Sequence, residues 1–228
     1  MRFIRLSTLV ALAGLWSNCG NDLGLPLQHT PTTDASVSID SGASIDGGAS
    51  LDGGGYPTVN IGGRPRTATQ AGQIFPNLTL QGVRSAATMD TPTSVSISEY
   101  YDPTGARYDL LHVVGIFMWC PHCNNETSNL SKIAAWQADH RVAVVQIAME
   151  GYGSAAPVLA DLQKWVGGYN LGFPVLIDGQ GAELGQYFSV NYVPVNIVVN
   201  PRTMEILAVD IGEVGDCQAY EQGFLNNL

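Results

Sequence analysis

Basic residues are scarce in this 228-residue chain: 10 Lys and Arg stand against 20 Asp and Glu, a formal net charge of −10. That balance excludes a basic nucleic-acid surface and a polybasic membrane-binding face, and it favours solubility. The N-terminal apolar run, Leu6 to Trp16, is too short to stay in a bilayer as a spanning helix. Histidine is confined to His29, His112, His122 and His140. Cysteine is confined to Cys19, Cys120, Cys123 and Cys217, so a structural zinc site lacks its second ligand pair. Asn124 stands where a haem-attachment motif would place histidine.

What is present supports one domain of ordinary size with an appendage, since 45% hydrophobic residues can supply a packed core. Residues 1–19 have the layout of a secretory signal, with Arg2 and Arg5 ahead of the apolar run. Cys19 just after it resembles the lipobox cysteine of bacterial lipoproteins, which implies lipidation there and membrane attachment through an N-terminal lipid. Export follows whether or not that cysteine is modified, and an exported chain meets an oxidising compartment in which disulfides persist. Residues 20–63 are expected to form a flexible acidic tether. Within them, "SIDSGA", "SIDGGA" and "SLDGGG" form a short repeat with almost no large apolar residue to offset the entropy of ordering. Its Asp spacing fits neither an EF-hand loop nor a nonapeptide calcium repeat. The folded domain is expected over residues 64–228.

Within that domain, "GQIFPNLTLQG" (72–82) and "TSVSISEYY" (93–101) read as strands bounded by Gly, Pro and Asp. "YDLLHVVGIFM" (108–118) is a nearly continuous apolar run, as in a strand buried on both faces, and it ends at "WCPHC". A helix over 124–140, a buried strand over 142–149 and a helix over 156–169 follow. "FPVLID", "AELGQYF", "VPVNIVVNP", "MEILAVDIG" and "DCQAYEQGFLNNL" then predict strand, short helix, strand, strand and terminal helix, with Asn200-Pro201 turning the hairpin. The alternation predicts an α/β fold with a central mixed sheet and helices on both faces.

The chemistry concentrates at Trp119 to Cys123. Cys120 falls at a strand-to-helix junction, where unpaired amides and the positive end of the helix dipole stabilise a thiolate. Cys123 lies one turn later on the same side, placed to close a disulfide and release a bound partner. The sequence therefore assigns attack to Cys120 and resolution to Cys123. His122 reads either as an imidazolium favouring the thiolate or as an exposed helix-start residue. Cys217, opening the last helix after Asp216, reads as buried filler.

"WCPHC" after a buried strand resembles the active site of the thioredoxin superfamily, and Val193-Pro194 falls where that superfamily keeps a cis-proline facing the cysteines. The resemblance implies a thioredoxin-like fold and substrate contacts at Trp119, Val193 and Pro194. "AGQIFPNLTLQG" and "FPVLID…YFSVNYVP" are similar to membrane-tethered TlpA/redoxin-like proteins, whereas the Pro121-His122 dipeptide and Val193 resemble DsbA-type oxidases. Val114 occupies a position where many relatives carry a polar or acidic proton relay for the second cysteine.

This resemblance implies an exported thiol-disulfide oxidoreductase on the periplasmic side of a bacterial membrane, favouring the oxidising direction. Its partners would be exported protein thiols or disulfides and a redox-recycling protein, with no nucleic acid; no cofactor and no metal are expected. The alternatives are a reductive TlpA-like thioredoxin, as in cytochrome c maturation, and a copper-binding or adaptor protein of the same fold. Copper chaperones of this fold use a wider cysteine spacing and a distal histidine, and a peroxidase would need a proline and threonine before its cysteine; "FMWCPHC" has neither.

Overall fold

The computed structural model describes residues 55–57 and 70–228. The expected signal segment, Cys19 and the repeat lie outside the described residues. Seven strands make one mixed sheet: β1 (Thr79–Val83), β2 (Thr93–Ser96), β3 (Leu110–Phe117), β4 (Val142–Glu150), β5 (Val175–Ile177), β6 (Val195–Asn200) and β7 (Glu205–Ile211), in the order β2-β1-β5-β4-β3-β6-β7. The three central strands β5, β4 and β3 are parallel, and antiparallel pairs extend the sheet on both sides. The apolar run of β3 is buried on both faces because it lies between β4 and β6 with layers above and below.

Four α-helices, α1 (Pro121–Lys132), α2 (Ala134–Asp139), α3 (Leu159–Tyr169) and α4 (Cys217–Leu225), pack on one face. Both crossovers, β3 to β4 and β4 to β5, step the same way across the sheet, so right-handed connections place α1 and α3 together. Gln146 of β4 joins them: its amide donates to Thr127 Oγ1 at 2.8 Å, and its oxygen accepts from Trp165 Nε1 at 3.1 Å. The opposite face is covered by 3₁₀ turns at Ile97–Tyr100 and Leu184–Gln186 and by the segment entering β1, around Ile74, Phe75 and Leu78. Tyr56 also belongs to this layer. It falls within the segment read as a tether, yet it is buried and its hydroxyl donates to the Phe75 carbonyl at 2.8 Å.

Several elements depart from the sequence pattern. The strand expected over 93–101 stops at Ser96, where Glu99 reaches back to accept the Ser96 N–H at 3.0 Å and turns the chain into a 3₁₀ helix. The helix expected over 124–140 starts earlier, at Pro121, and breaks at Ile133, whose φ of −99° and ψ of 10° leave the helical region. The short helix of "AELGQYF" is one 3₁₀ turn. At Gly82 an added Cβ would meet the Val175 carbonyl oxygen at 2.2 Å, so the β1–β5 pairing requires glycine there.

Candidate active site

The site lies where β3, β4 and β6 deliver their ends to one edge. The Met118 N–H donates to Glu150 O at 2.9 Å, and the Cys120 N–H to Phe117 O at 3.0 Å, which turns the chain from strand into helix. Cys120 caps α1 with extended backbone, and Pro121 fills the first helical position, where its missing N–H costs nothing. Asn124 braces the turn: its amide donates to the carbonyls of Cys120 and Met118 at 2.7 and 3.2 Å, and its oxygen accepts from Tyr169 OH at 2.7 Å.

Cys120 and Cys123 are both buried free thiols. A hydrogen bond from the Cys123 thiol holds the Cys120 pKa down to about 5 against the opposing effect of burial, helped by the backbone N–H groups of Cys123 and His122 and by the His122 charge. Cys123 is driven the other way. Burial, reinforced by the neighbouring Cys120 thiolate, pushes its thiol far up and keeps it protonated. One pair of identical residues is thus split into a thiolate and a thiol by position alone.

The residues that the sequence brought together are together in space. The Cys120 sulfur is 3.9 Å from the Val193 carbonyl oxygen, and the Val193-Pro194 peptide is cis. Val193 is half-buried and Pro194 buried, held by a 2.8 Å bond from the Gly212 N–H to the Pro194 carbonyl. Trp119 stacks on Phe117 at 5.6 Å and donates its indole N–H to Glu150 Oε2 at 2.7 Å, so it is half-buried and fixed in orientation. His122 and Pro121 are exposed beside the pair. Cys217 is buried at the start of α4, and burial pushes its thiol up to about 12.

Three carboxylates of the site have no place in the reading of the sequence. Glu150 orients Trp119, and Glu213, in the loop after β7, lies 2.7 Å from His122 Nδ1. The third, Glu126, is fully buried on α1, one turn beyond Cys123 on the same side. Val114 is apolar and faces the helices beneath the cysteines; the acidic group there comes from α1 instead of β3. Glu126 Oε2 accepts from the Val214 N–H at 2.7 Å and from Asn196 Nδ2 at 3.3 Å, while Oε1 has no hydrogen-bond partner among the described residues. Burial raises its pKa to about 7. Because Oε2 already accepts two hydrogen bonds, Oε1 is the oxygen free to carry a proton. The spacing Cys123-x-x-Glu126, read as one helical turn, is the signal that could have found it.

Residues 71–206 match the AhpC/TSA family, more than half of the chain. No curated protein matches the sequence significantly. Among solved structures, the fold is similar to the thioredoxin domain of a thiol-disulfide oxidoreductase from Bacteroides vulgatus, with TM-score 0.52 and 18% identity over 68% of this chain and 98% of that one. It is also similar to a DsbF homologue from Corynebacterium diphtheriae, with TM-score 0.50 and 21% identity over 69% and 88% of the two chains. Peroxidoxin BcpB from Mycobacterium tuberculosis gives TM-score 0.50 and 18% identity over 70% and 98%. With the mixed sheet, the helix-capping cysteine and the family match in agreement, the chain belongs to the AhpC/TSA family of the thioredoxin-like redoxins.

Proposed function

We propose that the protein is an exported thiol-disulfide oxidoreductase that oxidises protein thiols through Cys120 and Cys123. The observation that carries this reading is the opposite polarisation of the two sulfurs, one held as thiolate at a helix start and the other kept protonated by burial. In the oxidised protein a substrate thiolate attacks Cys120 Sγ, the Cys120–Cys123 bond breaks, and Cys123 leaves with the electron pair. Glu126 gives its Oε1 proton to Cys123 as that sulfur becomes a buried thiol. A second substrate thiolate then attacks the substrate sulfur of the mixed disulfide, and Cys120 departs as a thiolate. The substrate loses two electrons and the cysteine pair gains them.

A stable leaving thiolate favours the reduced form and makes the disulfide an oxidant. Trp119, Val193 and Pro194 form the rim against which an extended substrate segment would lie, with the exposed Tyr192 next to them. Export, lipidation at Cys19 and a periplasmic location rest on the N-terminal sequence. A recycling partner must reoxidise the pair, and its redox chemistry is the class implied.

Equilibration of the purified protein with glutathione tests the reading. The expected potential lies nearer the DsbA value, about −120 mV, than the thioredoxin value, about −270 mV. A thioredoxin-like potential would assign the protein to the reductive alternative, and no exchange at all in the intact protein would leave the adaptor reading.

A further inference from the structure

His112 is fully buried on β3 and faces the helices. Its Nδ1 lies 2.9 Å from Glu221 Oε1 of α4, and its Nε2 lies 2.8 Å from Asn196 Oδ1 of β6. The tautomer follows from the partners of Asn196. Its Nδ2 faces the Gly212 carbonyl at 3.0 Å and Glu126 Oε2 at 3.3 Å, and a backbone carbonyl can only accept. Asn196 Oδ1 therefore points at His112, and Nε2 carries a proton. On the other side, Nδ1 faces Glu221 Oε1, both oxygens of Glu221 accept from Gln137 Nε2 at 2.9 and 3.0 Å, and the His112 pKa is raised, the arrangement of a protonated Nδ1 donating to Oε1. A buried imidazolium paired with a buried carboxylate results. Four side chains from α4, β3, β6 and α1 thus form one continuous line of hydrogen bonds ending at Glu126.

A helix-to-sheet contact of this size needs no ion pair. Two buried charges are costly unless fully bonded, and an apolar pair of similar volume would hold α4 on the sheet as well or better. The chemistry proposed above supplies a use, because each oxidation of substrate leaves Glu126 as a carboxylate without water around it. We propose that His112, held by Glu221 and coupled through Asn196, is a positioning residue that compensates the negative charge Glu126 acquires when it protonates Cys123. This rests on the assignment of Glu126 as proton donor to Cys123.

The surroundings support that role. Burial alone would drive the imidazole neutral, and the hydrogen bond and charge of Glu221, with the charge of Glu126 and the Asn196 hydrogen bond, together outweigh it. Glu126 itself is bordered by Cys123 on α1, by the Val214 N–H and Glu213 of the loop after β7, and by Cys217 and Tyr220 of α4; His112 is the one basic side chain among these groups. Tyr220 also packs on the His112 ring at 5.6 Å, closing the site from solvent.

The test uses the full chain. In the parent protein, ¹⁵N resonances of His112 should show both ring nitrogens protonated at pH 7, and a neutral ring there would overturn the proposal without any substitution. His112→Gln, and Glu221→Gln as the milder variant, should each make Glu126 a roughly tenfold weaker acid by ¹³C carboxyl titration. Both should slow opening of the disulfide by substrate below pH 7, where Glu126 is protonated in the parent and the variants alike, and in a Glu126→Gln background neither should slow it further. An unmoved Glu126 titration in a folded variant, or equal slowing in both backgrounds, would overturn the coupling. If the parent protein fails to exchange disulfides, the proposed function falls, while the His112 and Glu126 titrations still report whether the two groups are coupled.

Discussion

His122 Nδ1 lies 2.7 Å from Glu213 Oε2, joining the centre of the cysteine motif to a loop 91 residues away in sequence. His122 is 60% exposed; the hydrogen bond to Glu213 raises its pKa, helped by the charges of Glu213 and Cys120, and keeps the ring charged to higher pH. The charge in turn favours the Cys120 thiolate.

Glu213→Gln should therefore lower the His122 pKa and raise that of Cys120. Because His122 is largely exposed, the effect on Cys120 should be small, up to about half a pH unit. Ultraviolet titration of the thiolate with NMR of the imidazole checks both directions. If His122 shifts and Cys120 does not, the imidazole is a bystander at the helix start.

A second prediction concerns stability in the two redox states. Folding depresses the Cys120 pKa from 9.0 to about 5, so between those values the folded reduced protein has lost a proton that the unfolded chain retains. The contribution of Cys120 to the stability of the reduced form should then rise with pH across this window and be lost as pH falls through 5, opposing that of Glu126, which both redox forms share. The oxidised form has no thiol to titrate there. By pH 7 the reduced form should have gained about 2 kcal/mol relative to the oxidised form, compared with pH 5. Urea unfolding of both forms at the two pH values measures it, and a constant difference would show that Cys120 titrates as an ordinary thiol.

The parts of this site that sequence could reveal are those written locally. Strand β3, the cysteine motif and the start of α1 occupy one run of residues, and Val193-Pro194 was found through its position relative to that run. Glu213 and the line from His112 to Glu221 were hidden because their contacts join residues 84 to 109 positions apart, and an isolated acidic residue in a loop or helix has no periodicity to betray it. Glu126 was hidden for another reason: on a helix of mostly polar residues it looks like part of the solvated face, and only the packing of α1 against β6 and the loop before α4 makes that position interior. The strand expected to continue through Ile97 failed for want of one local cue, the Ser96 and Glu99 capping pair.

Cys217 provides a control for the assignment of roles. It shares the buried layer with Cys120 and Cys123, but its thiol is pushed up to about 12 and stays protonated at neutral pH. Cys217→Ser should retain disulfide exchange, Cys120→Ser should abolish it, and Cys123→Ser should accumulate a mixed disulfide at Cys120. Mass spectrometry of the trapped species identifies the sulfur. A substrate adduct on Cys217 would instead make it a third redox centre.

Glu126→Gln should separate stability from turnover. Folding raises the Glu126 pKa from 4.5 to about 7, so in that window the folded protein holds a proton that the unfolded chain has released, and stability falls as pH rises. Above pH 7 the accumulated penalty is constant at about 3 kcal/mol. Glutamine keeps an acceptor for the Val214 N–H without an ionisable group, so relative to the parent the variant should gain stability as pH rises from 4.5 to 7. It should also lose the proton donor for Cys123, slowing disulfide opening by about 100-fold. Parallel urea-unfolding and stopped-flow measurements from pH 4.5 to 8 test both halves together. Stability curves that stay parallel would place the Glu126 pKa near its ordinary value, and an unchanged opening rate would mean that Cys123 takes its proton from another group.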